Sequence, residues 1–555
     1  MKMKGNSIVL SLIMCAASGH VTAQMDNVVE VENNYRPTVR DANKINITPQ
    51  FEESTVTHYN VDYSVNAAAT DQYVFQPMWA DKNARLIKSD RTMFASFGYG
   101  TEGNVLGRFA GDLNLNKGKR LEFDYITRGY NGTIQDIGGA SDEWNSRYYN
   151  TRVSASFIRL LKNRSELKIG GGFGADLFNY QPMNSLSGSQ EVDCAVTDKQ
   201  HDNLYNIGME LTPYSFGKFA VGLNAGYEHF EQKYMTALMS KNSEDLITVE
   251  LTPEIEINDR VMIDVELGMD YAKYGMTGVD GHTSFDFIPH LRYQNKDLSL
   301  CAGAYINSEG KIAPDVDLSY HANHSLDFYV KATGGETAQN FRTFSQMTPY
   351  FSMEQPTVSM EQPTVNGYSI DNSFDQLRAR AGVRLHSGKR LMADISAGYD
   401  IRENVAELQN SLAPNPNGYS LVTFVDSRRF HADADIIYEW EDKLSLNLFN
   451  QYNHWSWDDG LTYIWRPVIN LDWNASYHVA NGLRIGADML YQTFGEEEGI
   501  DRPATLNLSA NISYTFPCRL TLYARGNNLL GKKYQQYMNY YAPDKNFLFG
   551  AAFTF

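Results

Sequence analysis

The sequence predicts an all-β protein, a transmembrane antiparallel β-barrel of about 22 strands that follows a cleaved signal peptide and a short N-terminal periplasmic segment. Three observations favour this fold. Apolar and polar residues alternate along many segments, and short polar turns alternate with long connections. The 555 residues include 35 Tyr, 28 Phe and 42 Gly. Beyond the N-terminus, no apolar run approaches the roughly 18 residues that a membrane-spanning helix needs.

Composition and charge exclude several classes of protein. The chain has 48 Lys and Arg against 66 Asp and Glu, a net charge of -18. Nucleic-acid phosphates would repel such a chain, so no nucleic acid is expected as a partner. The 4 cysteines and 12 histidines show no metal-ligand spacing, and the cysteines are too sparse for a disulfide scaffold. The sequence therefore predicts no metal, no cofactor and no enzyme.

The first 23 residues have the features of a secretory signal peptide. Lys2 and Lys4 form a positive start, 8–17 is a short apolar stretch, and Val21 and Ala23 supply small residues before a cleavage point. We therefore assign 1–23 to a signal peptide. Residues 24–90 follow as a segment of the periplasm or of the barrel lumen, in which several prolines bias their neighbours toward extended backbone.

Residues 91–555 carry the period-two pattern of strands. In 261–271 and 505–514, apolar side chains alternate with polar ones, so each segment has one apolar and one polar face. Many such segments reach about ten residues, which suits a tilted strand crossing a bilayer, whereas globular strands average about five or six. Closure into a barrel removes the exposed edges of such long strands.

The connections sort by length, as expected when short turns face the periplasm and long loops face outward. Polar turns are predicted at 116–119, 162–164, 258–260, 295–297, 386–389 and 441–443. Long connections are predicted near 131–145, 178–200, 335–373, 401–426 and 529–544.

Aromatic residues recur near the predicted strand ends, where Tyr and Trp favour the lipid headgroups. We expect them to form interfacial belts, although each one taken singly is also compatible with an ordinary packed aromatic. They are Tyr148, Tyr149, Phe178, Tyr180, Tyr438, Trp440, Trp455, Trp457, Tyr537, Tyr540 and Tyr541.

The end of the chain resembles TonB-dependent outer-membrane receptors. Residues 520–534 read LTLYARGNNLLGKKY and 546–555 read NFLFGAAFTF, similar to the family's NLFDKKY and its aromatic last strand. The resemblance implies that Phe553 and Phe555 form the signal read by the barrel-assembly machinery. It departs at Gly531, where an acidic residue is common, and at 543–545, where Pro-Asp-Lys replaces Pro-Gly-Arg.

The resemblance also implies a large plug before the barrel, yet 24–90 shows no plug signature. Val28, Val29, Glu30 and Val31 resemble a TonB box, the segment that pairs with a strand of the energising partner. A run of Val and Glu is also typical of any β-strand. We interpret the chain as a barrel whose full plug is missing.

Charged residues on the polar faces predict a lumen charge wall. This wall has three possible interpretations. It is a solvated wall with cross-strand salt bridges, a filter for permeating solutes, or a surface that docks a basic plug element of another chain. The wall residues are Glu250, Glu254, Glu256, Asp264, Glu266, Arg378, Arg380 and Arg384.

Two functions remain open at this point. The resemblance implies a receptor in the outer membrane of a Gram-negative bacterium, which binds or takes up a large solute. The alternative is a non-transporting barrel scaffold that anchors periplasmic or surface proteins. The expected partners are outer-membrane lipid, the barrel-assembly machinery, and either TonB or a periplasmic or surface protein.

Overall fold

The computed structural model describes most of the predicted barrel. The described residues are 93–116, 118–135, 143–161, 165–180, 199–233, 242–276, 279–352, 368–388, 390–409, 420–441, 443–497, 502–538 and 540–555. The predicted signal peptide at 1–23, the segment 24–90 and the TonB-box-like Val28–Val31 lie outside them.

Twenty-two antiparallel strands form the barrel. They are β1 (Met93–Gly100), β2 (Val105–Asn116), β3 (Lys119–Gln135), β4 (Glu143–Leu160), β5 (Glu166–Phe178), β6 (Gln200–Phe216), β7 (Phe219–Gln232), β8 (Ser243–Asn258), β9 (Val261–Tyr274), β11 (His282–Gln294), β12 (Leu298–Asn307), β13 (Ile312–Asn323), β14 (Leu326–Thr337), β17 (Ser373–Ser387), β18 (Leu391–Leu408), β19 (Ser420–Trp440), β20 (Leu444–Trp457), β21 (Pro467–Ala480), β22 (Leu483–Phe494), β23 (Thr505–Thr515), β24 (Leu520–Asn527) and β27 (Asn546–Thr554).

Shorter elements lie in the connections. They are β10 (Val279–Asp280), β15 (Phe351–Ser352), β16 (Tyr368–Ser369), β25 (Gln535–Tyr537), β26 (Tyr540–Tyr541), a 3-10 turn (Thr101–Gly103) and the helix α1 (Phe341–Met347). Among the described residues, no helix is both long enough and apolar enough to cross a membrane.

The first and last strands close the barrel. β1 pairs antiparallel with β27, with Phe94 opposite Thr554 and Gly100 opposite Leu548. The Met93 amide donates to the Phe555 carbonyl at 2.9 Å, and the reverse bond measures 3.0 Å. Because the chain enters and leaves the barrel at the same rim, the number of strands is even. The predicted barrel of about 22 strands is confirmed.

The two rims differ as the loop lengths predicted. The short-turn rim carries tight connections such as 258–261, 294–298 and 323–326. The opposite long-loop rim carries the connections between β5 and β6, between β14 and β17, and between β24 and β27. The predicted sorting of short and long connections onto opposite rims is therefore confirmed.

Two predicted long connections were wrong, because strands continue through most of them. β3 runs to Gln135 and β4 begins at Glu143, while β18 and β19 fill most of 401–426. In β18, residues 405–408 are all buried, so no polar face remains to show the alternation. At the end of β3 the outward side chains are polar, which imitates a loop.

The outer wall is apolar and the inner wall is polar. Ile207, Val330 and Phe549 are 60%, 49% and 61% exposed and belong to the outward-facing set on their strands. The C-terminal strand follows the same rule, with Phe553 and Phe555 exposed on the outside. This outward apolar face is what contact with lipid requires.

The predicted aromatic belts are only partly present. Trp440 points outward near the short-turn rim and is 41% exposed. Phe178, Tyr540 and Trp457, in contrast, are buried in clusters inside the long-loop rim. The belt prediction was therefore wrong for these residues, because loops that fold inward need apolar surface to pack against.

Candidate functional site inside the barrel

The acidic members of the lumen charge wall occupy one inner face of β8 and β9. Glu254 lies opposite Asp264, and Glu250 lies opposite Gly268. The alternate positions Ile255 and Ile263 are exposed on the outer wall. The even-numbered residues Glu250, Glu254, Glu256, Asp264 and Glu266 therefore lie on the inner face.

Asp264 is fully buried but is already paired with cationic partners. The Arg292 Nε lies 2.6 Å from its Oδ1. His290 lies between two carboxylates, with its ring nitrogens 2.9 Å from Asp264 and 2.8 Å from Asp315. Burying a carboxylate without such partners would cost roughly several kcal/mol of folding free energy, because the ion loses its hydration.

This cluster has the donor types of a metal site but the geometry of an ion-pair network. Asp264, Glu266 and His290 offer ligand atoms within 4.8 Å of one another. The Arg292 guanidinium, however, already contacts the carboxylate that a cation would need. The arrangement therefore favours cross-strand salt bridging. Sequence reasoning missed Arg292 and His290 because they lie on β11, and only the strand register brings them to Asp264.

The arginines of the lumen charge wall are paired as well. The Arg384 Nε lies 2.9 Å from Asp394 Oδ2, and Tyr329 donates to the other oxygen of the same carboxylate at 2.6 Å. Arg380 donates to Ser396 at 2.7 Å. Arg378 pairs with Asp375 at 3.4 Å. The predicted arginines thus share one inner face, and each has a partner on its own strand or on a neighbouring strand.

Sequence reasoning missed a segment that folds inward at the long-loop rim. We call residues 338–352 the rim segment. Its helix α1 starts with a capping box, in which the Asn340 side chain accepts from the Thr343 amide and Thr343 accepts from the Asn340 amide. Thr348, which precedes a proline, has extended backbone and ends the helix.

The apolar face of α1 packs between separate parts of the barrel wall. Phe341 and Phe344 are fully buried. The Phe341 ring contacts Tyr274 of β9 with a centroid distance of 5.2 Å, and the Phe344 ring contacts Phe424 of β19 at 6.0 Å. These strands are not neighbours in the barrel. The rim segment therefore ties distant strands together across the inside of the rim.

Polar contacts hold α1 from the β6–β8 side. Glu244 is buried and accepts the Phe341 amide at 2.6 Å and the Arg342 amide at 2.9 Å. Arg342 pairs with Glu228, and Ser345 donates to Asp202 at 3.2 Å. We call Asp202, Glu228 and Glu244 the carboxylate latch. The contact between Arg342 and Glu228 is charge-assisted, and such contacts are about twice as strong as neutral hydrogen bonds.

Beyond α1, Tyr350 inserts into a group of aromatic rings. Its ring stacks parallel on Tyr540 with centroids 3.3 Å apart, and meets Phe178 and Tyr537 edge-on at 5.2 and 5.9 Å. Tyr180 completes the contact at 5.8 Å. Burial raises the pKa of the Tyr350 phenol well above its usual value. We call Phe178, Tyr180, Tyr537 and Tyr540 the aromatic socket.

A buried ion pair fixes a second loop at the same rim. The Arg466 Nε lies 2.9 Å from Glu407 Oε2, and Glu407 is fully buried. The Arg466 guanidinium also lies 3.9 Å from the centre of the Trp465 ring and 5.3 Å from that of Trp455. Burial lowers the pKa of this guanidinium. The loop after β20 is thus joined to β18 inside the rim.

One sequence signal could have revealed the rim segment. Phe341 and Phe344 are spaced for one face of a helix directly after an Asn340 cap, inside an otherwise polar connection. The aromatic socket had no such signal, since its members come from the end of β5, the connection just after it and the loop before β27.

Comparison with known proteins gives the fold a precedent. No protein-family model and no curated protein matches the chain. The FrpB iron transporter from Neisseria meningitidis matches with a TM-score of 0.62 and 9% identity, over 84% of this chain and 82% of that one. The ferripyoverdine receptor of the outer membrane of Pseudomonas aeruginosa matches with a TM-score of 0.60 and 12% identity, over 84% and 72%. The ferric-catecholate import receptor Fiu of E. coli K12 gives 0.57 and 11%, over 84% and 82%. The chain has the barrel fold of TonB-dependent outer-membrane receptors.

Proposed function

We propose that this chain is a receptor-like barrel of the Gram-negative outer membrane, which binds a large solute at its long-loop rim and admits it to the lumen. The observation that carries the proposal is the rim segment. It folds into the barrel, and the contacts that hold it against the wall are non-covalent. The segment can therefore close the rim and still be released.

The width of the barrel supports this role. A barrel of about 22 strands encloses a lumen wide enough for a bulky solute, and such a lumen must be filled or covered to keep the membrane tight. Phe341 and Phe344 bring apolar bulk into that lumen. The lumen charge wall, including Arg378, Arg380 and Glu250, supplies the polar surface along which a solute would pass.

The fold comparison makes ferric chelates the first solutes to test. Similar barrels include an iron transporter and a ferric-catecholate import receptor. Fold similarity at this identity leaves oligosaccharides and peptides as further candidates. Binding to the purified barrel, followed by uptake in cells that depend on the chain, would separate these classes.

A barrel scaffold is the second candidate, and one observation favours it. The rim segment is fixed at three places, through buried phenylalanines, the carboxylate latch and the aromatic socket. A rim closed this firmly also suits a barrel that anchors other proteins without conducting. Capture of a stoichiometric partner by a barrel that takes up no solute would favour this function.

Conductance in planar bilayers tests the receptor proposal. We compare the mature chain, the chain lacking 24–90, and the double variant Phe341→Ala with Phe344→Ala. If the rim segment closes the lumen, the double variant conducts more than the mature chain. If 24–90 closes it, the truncated chain conducts more. Negligible conductance of both, with a folded barrel, would contradict a releasable closure.

Energy coupling is tested separately at the N-terminal segment. We propose that Val28, Val29, Glu30 and Val31 pair with a strand of TonB. Deleting these four residues should abolish binding of a TonB C-terminal domain to the mature chain. Scrambling an equally long stretch elsewhere in 24–90 is the control, and unchanged binding after the deletion would exclude the TonB-box interpretation.

A further inference from the structure

The aromatic socket encloses a ring that belongs to a different element. Tyr350 enters it from the rim segment, whereas Phe178 ends β5 and Tyr540 lies in the connection before β27. One ring stacks on Tyr350, and the planes of three others lie at steep angles to it. The edge-on contacts are of the kind by which protein aromatics prefer to pack against a planar ring.

Tyr350 is mechanically joined to α1. Two residues separate it from Met347, and the Thr348 amide still bonds to the Phe344 carbonyl at 3.0 Å. On its other side, Phe351–Ser352 pairs in parallel with the start of β19. A displacement of the backbone at Tyr350 therefore also disturbs the neighbouring parts of the rim segment.

We propose that the aromatic socket is a binding subsite for a neutral planar aromatic group of the solute, and that Tyr350 occupies this subsite while the rim is closed. The proposal rests on the proposed receptor function and specifies its solute. A solute ring that replaces Tyr350 gains the same four contacts, and the replaced tyrosine loosens the rim segment.

The chemistry of the socket sets the class of ligand. Four aromatic rings, those of Phe178, Tyr180, Tyr537 and Tyr540, contact the ring of Tyr350. Such walls favour a flat apolar ring, and burial raises the pKa of the Tyr350 phenol well above its usual value, so an anionic ring would lose favourable hydration there. Uncharged phenols fit this description, and aliphatic rings of the same size lack the stacking face.

Competition with Tyr350 makes a quantitative prediction. While the tyrosine fills the socket, only the small fraction of molecules with an empty socket can bind a ligand, so the apparent affinity falls by that fraction. Removing the Tyr350 ring lifts this competition. If the socket is empty about one tenth of the time or less, the variant binds at least about tenfold more tightly.

The test uses the full mature protein in detergent with p-cresol, which reproduces the tyrosine side chain, as the probe. Tyr350→Ala should bind p-cresol at least about tenfold more tightly than wild type, and 4-methylcyclohexanol should bind more weakly. Tyr350→Phe keeps the ring and should behave as wild type. Equal p-cresol affinities of Tyr350→Ala and wild type, or equal binding of both probes to Tyr350→Ala, would overturn the proposal.

Two further measurements keep the result interpretable. Hydrogen exchange of 338–352 in wild type should accelerate at saturating p-cresol, and no acceleration would overturn the displacement of Tyr350. Tyr540→Ala, which leaves Tyr350 in place, should remove this response if the socket is the site. The Tyr540→Ala variant also tests the proposal if Tyr350→Ala does not fold.

The socket and the receptor function can fail independently. If Tyr350→Ala gains ring binding but no variant conducts or takes up solute, the receptor function is wrong and the socket stands. If the double phenylalanine variant conducts but Tyr350→Ala gains no ring binding, the socket proposal is wrong and the receptor function stands.

Discussion

Replacing Phe344 by alanine measures how strongly the rim segment is held. The Phe344 side chain is 0% exposed, and its ring lies 5.9 Å from that of Phe351 and 6.0 Å from that of Phe424. Removing a buried phenylalanine destabilises a packed core by about 3–5 kcal/mol. Because the strand ladders do not involve this side chain, the loss weakens docking of the rim segment. At about 1.4 kcal/mol per tenfold, the undocked population rises at least roughly 100-fold.

Hydrogen exchange followed by mass spectrometry detects this change. Exchange from local opening scales with the open population, so peptides covering 338–352 should exchange at least roughly 100-fold faster in Phe344→Ala. Peptides from β8 and β9 should keep their protection. Gln346→Ala changes an exposed position of the same helix, and an exposed substitution alters stability by no more than about 0.5 kcal/mol.

Two results would refute the reasoning. If the amides of the rim segment exchange equally fast in Phe344→Ala and Gln346→Ala while the barrel stays folded, the apolar face of α1 does not hold the segment. If Phe344→Ala removes protection from the whole barrel, Phe344 belongs to the barrel core and docking of the rim segment is not a separate equilibrium.

Three other changes test the seam, the buried ion pair and the rim. Gly100→Ala places a methyl group against a backbone carbonyl of β27. In electrophoresis after heating, this variant should therefore cease to migrate as the compact folded barrel at a lower temperature than wild type. Gly208→Ala, whose Cβ lies 3.4 Å from its nearest neighbour, should migrate as wild type does. Glu407→Gln should lower stability by about 3–5 kcal/mol in thermal unfolding, because it leaves the Arg466 charge buried, and adding Arg466→Met should restore most of the loss. Burial raises the pKa of Tyr534 from 10.0 to about 12. Between these pH values the unfolded chain loses a proton that the folded chain keeps, so stability should fall as the pH rises, and Tyr534→Phe should reduce the fall.

Much of the barrel was predictable because strand alternation is a local property. In β9 the side chains alternate between two faces whatever the neighbouring strands are, so 261–271 showed both the strand and its apolar side. The last strand was predictable in the same way, down to the outward positions of Phe553 and Phe555. The sorting of the loops then indicated closure and an even strand number, since each turn reverses the chain direction.

The partners of each side chain depended on the tertiary structure. Asp264 was visible as an inward carboxylate, but its pairing with Arg292 required the register between β9 and β11. The end of β18 lost its alternation once both faces were covered. Within the regular parts of the strands, the sequence alone thus determined which residues lie on the outer face, because that choice repeats every two positions along one strand. Only the folded chain decided that Tyr350 lies in a socket built from β5 and the loop before β27, because contacts between residues so far apart leave no local pattern.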